Sequence, residues 1–337
     1  MRSFKIIYLT ENSVLISKVE NFVSAWFDFA DSIETNTSGS TGIPKVIRLQ
    51  KQKMEASAKM TGTYFDFKPG DKTILCLSPD TIGGKMMLLR SFLFEMEIYV
   101  VDINRNPLEK IDFELKFAAM VPLQIQNIIE KNPEKLNLVQ QLLIGGATVS
   151  KQLEESLKHF ETCAYESFGM TETMSHVAVR KLNQPTFQPF EALLGILFES
   201  SENQLIVNAP QLGIEKLNTN DIVELVDQKH FFWQGRADFV INSGGIKFFP
   251  EKIEKKISHL IQSRFFIASE KDILLGEKII FVLEEIEIEE RMNDLLELFK
   301  IELDKFEIPK AMYFIDSFEE TVSGKINRKA TLKKILG

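Results

Sequence analysis

The stretch TILCLSPDTIGGKMMLLRSFLFEMEIYVV, residues 73–101, decides the fold class. Its opening run, Thr73 to Leu77, is apolar or β-branched and reads as a short buried strand. Gly84 to Phe94, dense in Met, Leu and Phe, reads as a helix, and Ile98 to Val101 returns to a strand. The alternation continues outward with a strand over Phe117 to Val121, a helix opened by Pro122, a strand over Val139 to Ile144 and a helix over Lys151 to His159. Such a series predicts an α/β fold, a largely parallel sheet covered by helices.

After Phe168 the texture changes to short strands with turns, at Gln204 to Val207, Ile222 to Val226 and His230 to Trp233. This predicts a β-rich subdomain closing the first unit. From Gly235 onward come a glycine pair, a helix near Pro250 to Leu260, a strand near Lys278 to Leu283 and a helix near Glu290 to Leu303, the pattern of a small α+β domain. The boundary is expected at Gln234 to Asp238, dividing the chain into a layered α/β domain over 1–234 and a small C-terminal domain over 235–337. A chain of 337 residues has room for both at roughly 150 residues per domain.

Apolar residues make up 44% and charged residues 26%, proportions of a soluble globular chain and not of a disordered one. With 40 basic against 48 acidic side chains, the formal charge of -8 argues against a general affinity for nucleic acid or anionic membranes. The most membrane-like run, Met86 to Ile103, is broken by Arg90, Glu95, Glu97 and Asp102, so no stable membrane insertion is expected. The apolar run after Lys5 ends at Thr10 and Glu11, too short for a signal-peptide core. The two cysteines, Cys76 and Cys163, lack metal-ligand spacing and read as buried thiols in a reducing, cytoplasmic compartment. The oligomeric state is left open.

Four segments carry chemistry. Thr37-Ser38-Gly39-Ser40-Thr41-Gly42-Ile43-Pro44-Lys45 offers small residues whose backbone N–H groups can curl around an anion, with hydroxyls and Lys45 adding donors and charge. It lacks the order of the familiar P-loop, and read alone such a loop is an ordinary turn. Ser167-Phe168-Gly169-Met170-Thr171-Glu172-Thr173 places a carboxylate beside hydroxyls at a strand's end, donors suited to Mg²⁺, with Phe168 available to stack on a base. Read alone, Thr171 or Thr173 would simply cap a helix. Thr219-Asn220-Asp221, expected just ahead of a strand, and Gly235-Arg236-Ala237-Asp238 supply a carboxylate able to accept from ribose hydroxyls and a cation facing it. Each alone is an ordinary turn or surface charge. Thr321-Val322-Ser323-Gly324-Lys325-Ile326-Asn327-Arg328 puts a lysine on a glycine turn.

As a set, in this order, these segments resemble the acyl-adenylate-forming (AMP-binding) enzymes, the superfamily of acyl-CoA synthetases, luciferases and peptide-synthetase adenylation domains. The resemblance runs from about residue 35 to the end and includes Gly145-Gly146-Ala147, similar to the family's adenine-pocket loop. It implies a two-step reaction, in which a carboxylate attacks the α-phosphate of ATP to form an acyl-adenylate with release of pyrophosphate, and a thiol, commonly that of coenzyme A, then displaces AMP. It further implies that Ser38 to Lys45 hold the β- and γ-phosphates, Thr171 contacts phosphate, Glu172 binds Mg²⁺, Asp221 and Arg236 hold the ribose, and Lys325 bridges carboxylate and α-phosphate. Asp238 falls on the hinge about which the mobile small domain rotates, and Gly244 and Gly245 lie where the pantetheine arm passes. The chain departs from the family in lacking most of the region before the phosphate loop, in carrying Asn220 within the usual T-G-D turn, and in offering Thr81 where an aromatic or His gate is common.

The shortened start, Ile82-Gly83-Gly84-Lys85-Met86-Met87 and the run Gly169 to His176 most resemble short bacterial o-succinylbenzoate–CoA ligases of menaquinone biosynthesis. Such a substrate has a second carboxylate that needs a cation or several donors, for which Lys85, Arg90, Ser175 and His176 are the candidates. Read alone, each is a surface cation, a cap or a hydrogen-bonded core residue. The alternatives are another aryl- or fatty-acyl-CoA ligase, a stand-alone amino-acid adenylation enzyme using Asp80 for the substrate ammonium, and a non-catalytic nucleotide-binding regulator.

Overall fold

A computed structural model describes residues 4–37, 45–286, 289–320 and 326–337. Its larger part is a twelve-stranded sheet. Six strands run parallel in the spatial order Lys5–Tyr8, Glu97–Val100, Lys72–Leu75, Leu115–Met120, Val139–Ile144 and Cys163–Met170. Each residue step along these strands switches faces, and both faces are apolar. Leu75, Phe117, Ala119 and Leu143 join one core under the helices Ser13–Phe27, Lys51–Tyr64 and Ile82–Leu93. Ile74, Ala118, Met120 and Leu142 join the other, under Pro122–Lys131 and Lys151–Leu157. The α/β reading of residues 73–101 is the observed one, although the helix begins at Ile82. Thr81, offered above as a pocket gate, is that helix's N-cap: its hydroxyl accepts from the Gly84 N–H at 3.3 Å and donates to the Ser78 carbonyl at 2.8 Å.

The β-rich region expected after Phe168 is present and adjoins the parallel half. It extends the same sheet with antiparallel strands in the order Ser175–Lys181, Phe190–Ala192, His230–Arg236, Ile214–Asp227, Gln204–Ala209 and Leu197–Ser201. Two strands are longer than their apolar runs suggest, since pairing on both sides, not side-chain type, sets their ends. Cys163–Met170 carries the Ser167-Phe168-Gly169 segment inside a strand, and Ile214–Asp227 does the same for Thr219-Asn220-Asp221, which is therefore neither a turn nor ahead of a strand. Cys76 is buried as expected, whereas Cys163 is only half-buried at the start of its strand.

Residues from Ile241 on build a second sheet. Ile246–Phe248, Ile241–Ser243, Gly276–Leu283 and Phe265–Asp272 pair antiparallel in that order, and Ala311–Phe314 joins Gly276–Leu283 in parallel. Pro250–Ile257 and Glu289–Glu302 contribute to the core on one face and Arg328–Leu336 to that on the other. No helix among the described residues is long and apolar enough to cross a membrane.

Candidate functional site

The C-terminal ends of the parallel strands Val139–Ile144 and Cys163–Met170 open onto a cleft of about 1040 Å³, the end of such a sheet where ligands usually sit. Gly146 and Ala147 follow the first strand, Phe168 and Gly169 lie on the second, and Glu172 stands exposed just beyond it. Asp221 and Arg236 enter from the antiparallel extension, as Cα partners on neighbouring strands. These seven residues, all singled out in the sequence, thus line one cavity.

Local geometry explains the shape of this rim. Gly146 has φ of 84°, which glycine adopts without strain, and a Cβ on Gly145 would meet the Ser167 Oγ at 2.7 Å. At Gly169 a Cβ would sit 2.2 Å from the Ser175 carbonyl oxygen, so only glycine lets the two strands close here. Thr173 pins the turn that follows: its hydroxyl accepts from the Met170 N–H at 3.0 Å and donates to the Ser175 carbonyl at 2.6 Å. Met174 and Ser175 are held at φ of 61° and 151°, strained values for non-glycine residues. Phe168 packs edge-on against Phe190 and Phe231, with ring centroids 5.8 and 5.1 Å away.

Other expected residues lie elsewhere. Thr171 opens the Thr171–Thr173 turn without lining the cleft, and neither Gly145 nor the pair Gly244 and Gly245 reaches it. The glycine pair turns the chain between Ile241–Ser243 and Ile246–Phe248 with φ of 58° and 82°. Asp238 is exposed and pairs with Arg236 at 3.0 Å. Ser38, Gly39, Ser40, Thr41, Gly42 and Lys325 lie outside the described residues. Thr37 and Lys45 end and begin two paired strands, Ser32–Thr37 and Lys45–Gln50, in which they are opposite partners.

Asp221 is 5% exposed, and burial pushes its pKa up against the opposing pull of Trp233, Arg236 and Thr219. The Trp233 Nε1–H donates to Asp221 Oδ1 at 3.0 Å. Among the described residues no cluster of three His, Cys, Asp or Glu forms a metal cage. Glu172 and Glu224 are exposed carboxylates at the cleft, and Mg²⁺ commonly takes one or two carboxylates and completes its shell with water and substrate phosphates.

Sequence reasoning missed the charged wall opposite. Arg180 is buried between two carboxylates, with Nη1 2.7 Å from Glu154 Oε1 and Nη2 2.7 Å from Glu166 Oε2. Burial alone would lower its pKa, but the paired carboxylates raise it. Glu251, from the Pro250–Ile257 helix, has an Oε2 without a hydrogen-bond partner, and burial pushes its carboxyl up to about 7. Lys255 from the same helix and Arg328 also face the cleft. The available signal for Arg180 was a cation directly after the apolar run Val177-Ala178-Val179; nothing local marks Glu251 or Lys255 among the charges of their helix.

The four candidates for a second carboxylate separate into two places. Lys85 satisfies itself on the Pro79 and Asp80 carbonyls at 2.7 and 3.0 Å. Arg90, Ser175 and His176 cluster behind the cleft-lining Gly169 and Met170, which pair with His176 and Ser175 across the hairpin. Arg90 is 2% exposed, its Nη2 donates to Ser175 Oγ at 3.1 Å and to His176 Nδ1 at 3.5 Å, and its Nε has no partner. No carboxylate among the described residues pairs with it, and burial lowers its pKa. His176 is held well below the usual histidine pKa by burial and by Arg90, and its Nε2 faces the Thr61 hydroxyl at 3.4 Å, an arrangement of neutral imidazole.

A family model described as AMP-binding enzyme matches residues 36–201. The crystal structure of an acyl-CoA synthetase (AMP-forming)/AMP-acid ligase II-like protein from Dyadobacter fermentans is 34% identical, covers 97% of this chain and 95% of that one, and has a TM-score of 0.64. A 2-succinylbenzoate–CoA ligase from Oceanobacillus iheyensis is 27% identical over 65% of this chain, which spans only 52% of that relative's length. The O-succinylbenzoate coenzyme A synthetase of Bacillus subtilis, solved with ATP and magnesium ion, shares the fold at a TM-score of 0.74 and 19% identity, over 88% of this chain and 69% of that one.

Proposed function

The chain belongs to the AMP-binding enzyme family, and on that premise we propose that it is an ATP-dependent acid–thiol ligase, forming o-succinylbenzoyl-CoA from o-succinylbenzoate through an acyl-adenylate. The observation that carries the substrate reading is Arg90, a buried guanidinium behind the cleft-lining Gly169 and Met170 with no carboxylate of its own among the described residues. An unpaired buried charge is costly, so the site favours an anionic ligand that completes it. The distal carboxylate of an aromatic dicarboxylate does so, with Ser175 as a further donor and neutral His176 orienting the guanidinium.

In this reading the adenine lies against Gly146, Ala147 and Phe168, and the ribose hydroxyls donate to Asp221 with Arg236 beside them. Glu172 would hold Mg²⁺, whose charge offsets that of the phosphates when it is bound. Lys45 and the preceding loop hold the phosphates. Lys325 stabilises charge as the substrate carboxylate attacks the α-phosphate, a step governed by positioning and charge neutralisation. Coenzyme A then takes the acyl group past Gly244 and Gly245, after the small domain has turned about Asp238. An amino-acid activator would need a free carboxylate for the substrate ammonium, but Asp80 is paired with Lys18.

The deciding experiment is kcat/KM for CoA-thioester formation with o-succinylbenzoate, benzoate, succinate and a medium-chain fatty acid. The dicarboxylate should be preferred strongly, because a site with buried donors discriminates against analogues that leave them unmet. A fatty acid used as well as o-succinylbenzoate would overturn the substrate.

A further inference from the structure

The strand His230–Arg236 carries an irregularity opposite Asp221. Val223 pairs with Trp233 and Ile222 with Gly235, so Gln234 is an extra residue without a partner. In a regular strand Trp233 and Arg236, three positions apart, would point to opposite faces. The extra residue bends the strand and brings both to the face of Asp221, and all three line the cleft. Gly235 makes this possible: its φ is 149°, and a Cβ there would meet Glu251 Oε2 at 2.6 Å.

We propose that Trp233 is a positioning residue of the nucleotide site, whose indole N–H fixes one oxygen of Asp221 so that the carboxylate meets the ribose hydroxyls already oriented. The Trp233 Nε1 to Asp221 Oδ1 distance is 3.0 Å, while the Arg236 guanidinium, the cross-strand neighbour, is engaged by Asp238 at 3.0 Å. The backbone side of Asp221 is held as well, its N–H donating to the Thr219 hydroxyl at 3.1 Å. An indole is a neutral donor with no acceptor, so it orients the carboxylate without cancelling the negative charge that attracts the hydroxyls. Burial opposes ionisation of Asp221, and the bond from Trp233 is the largest influence working the other way.

The inference rests on the reading of Asp221 as ribose acceptor, and the test separates the two. ATP-dependent pyrophosphate exchange is measured with ATP and with 2′,3′-dideoxy-ATP for the parent, Trp233→Phe, Asp221→Ala and the double variant. Trp233→Phe should raise the KM for ATP by about 10-fold with little change in kcat or in the KM for the dideoxy nucleotide, the size of a lost bond to a charged group. In the Asp221→Ala background the same change should add nothing. An equal rise for both nucleotides, or additive losses in the double variant, would show a merely structural tryptophan. If Asp221→Ala itself keeps the preference for ATP over the dideoxy form, the ribose reading fails and this inference with it. If Asp221→Ala abolishes that preference and Trp233→Phe keeps it, only the tryptophan's role is overturned. Should the Phe variant lose its fold by circular dichroism, β-(3-benzothienyl)alanine at position 233 retains the bicyclic shape without the N–H and gives the same readout.

Discussion

Lys255 Nζ lies 3.4 Å from Glu154 Oε2, a contact that ties the Pro250–Ile257 helix of the five-stranded unit to the Lys151–Leu157 helix on the twelve-stranded sheet. Both the Lys255 Nζ and the Arg180 guanidinium carbon also lie 4.3 Å from the Phe187 ring centre, so one aromatic ring is shared by a cation from each unit. The two cations do not count equally. Arg180→Met would leave Glu166 buried without its counter-charge and Glu154 with Lys255 alone, costing about 3–5 kcal/mol, whereas Lys255→Met removes a partly exposed pair contributing about 1 kcal/mol or less. Urea unfolding of the two variants should show this gap; equal losses would mean that the trio is not the buried centre of this wall.

Arg90→Leu removes the buried cation while keeping bulk. We expect it to erase most of the preference for o-succinylbenzoate over benzoate, with the ATP dependence of pyrophosphate release unchanged. Because the distal carboxylate is remote from the reacting centre, part of the loss should appear in kcat and not only in KM. An unchanged acid preference would assign Arg90 to the core.

Glu251 should make stability depend on pH. Its carboxyl titrates near 7 in the folded protein against an ordinary value of 4.5, so folding takes up a proton between those values. The stability this group contributes is complete below pH 4.5 and is lost as pH rises through about 7. Glu251→Gln should therefore be near neutral at pH 4.5 and stabilising by on the order of 2 kcal/mol at pH 8. Melting midpoints of both proteins across this range provide the check, and a difference that fails to grow with pH would refute it.

Lys325→Ala should abolish adenylate formation by ~10²- to 10³-fold while largely sparing thioester formation from pre-made acyl-adenylate. The two half-reactions must be followed separately. Equal loss in both would point to general damage and remove the role.

The parallel half of the large sheet is legible in the chain because its strands are buried on both faces, and each appears as a short apolar run between helical patterns. Val139–Ile144 is readable to its last residue for that reason. The antiparallel half is less so: Ile214–Asp227 has polar residues along much of its length and owes its extent to neighbours on both sides, which hides Asp221 inside a strand. Likewise Thr81 resembles a pocket residue until its bond to Gly84 shows it as a cap.

The alternating α/β architecture and the order of the polar segments are written in the chain itself, since buried periodicity and glycine-rich turns are local properties. Which of those segments meet depends on strand pairing. Asp221 and Arg236 become neighbours through strand register, and Trp233 joins them through one unpaired residue, Gln234. Lys85, on the same helix as Arg90, turns to its own loop instead, while Arg90 finds Ser175 at the start of the strand Ser175–Lys181. Whether a buried cation has a partner is a question of distance between residues far apart in the chain, and distances of that kind exist only after the strands have paired.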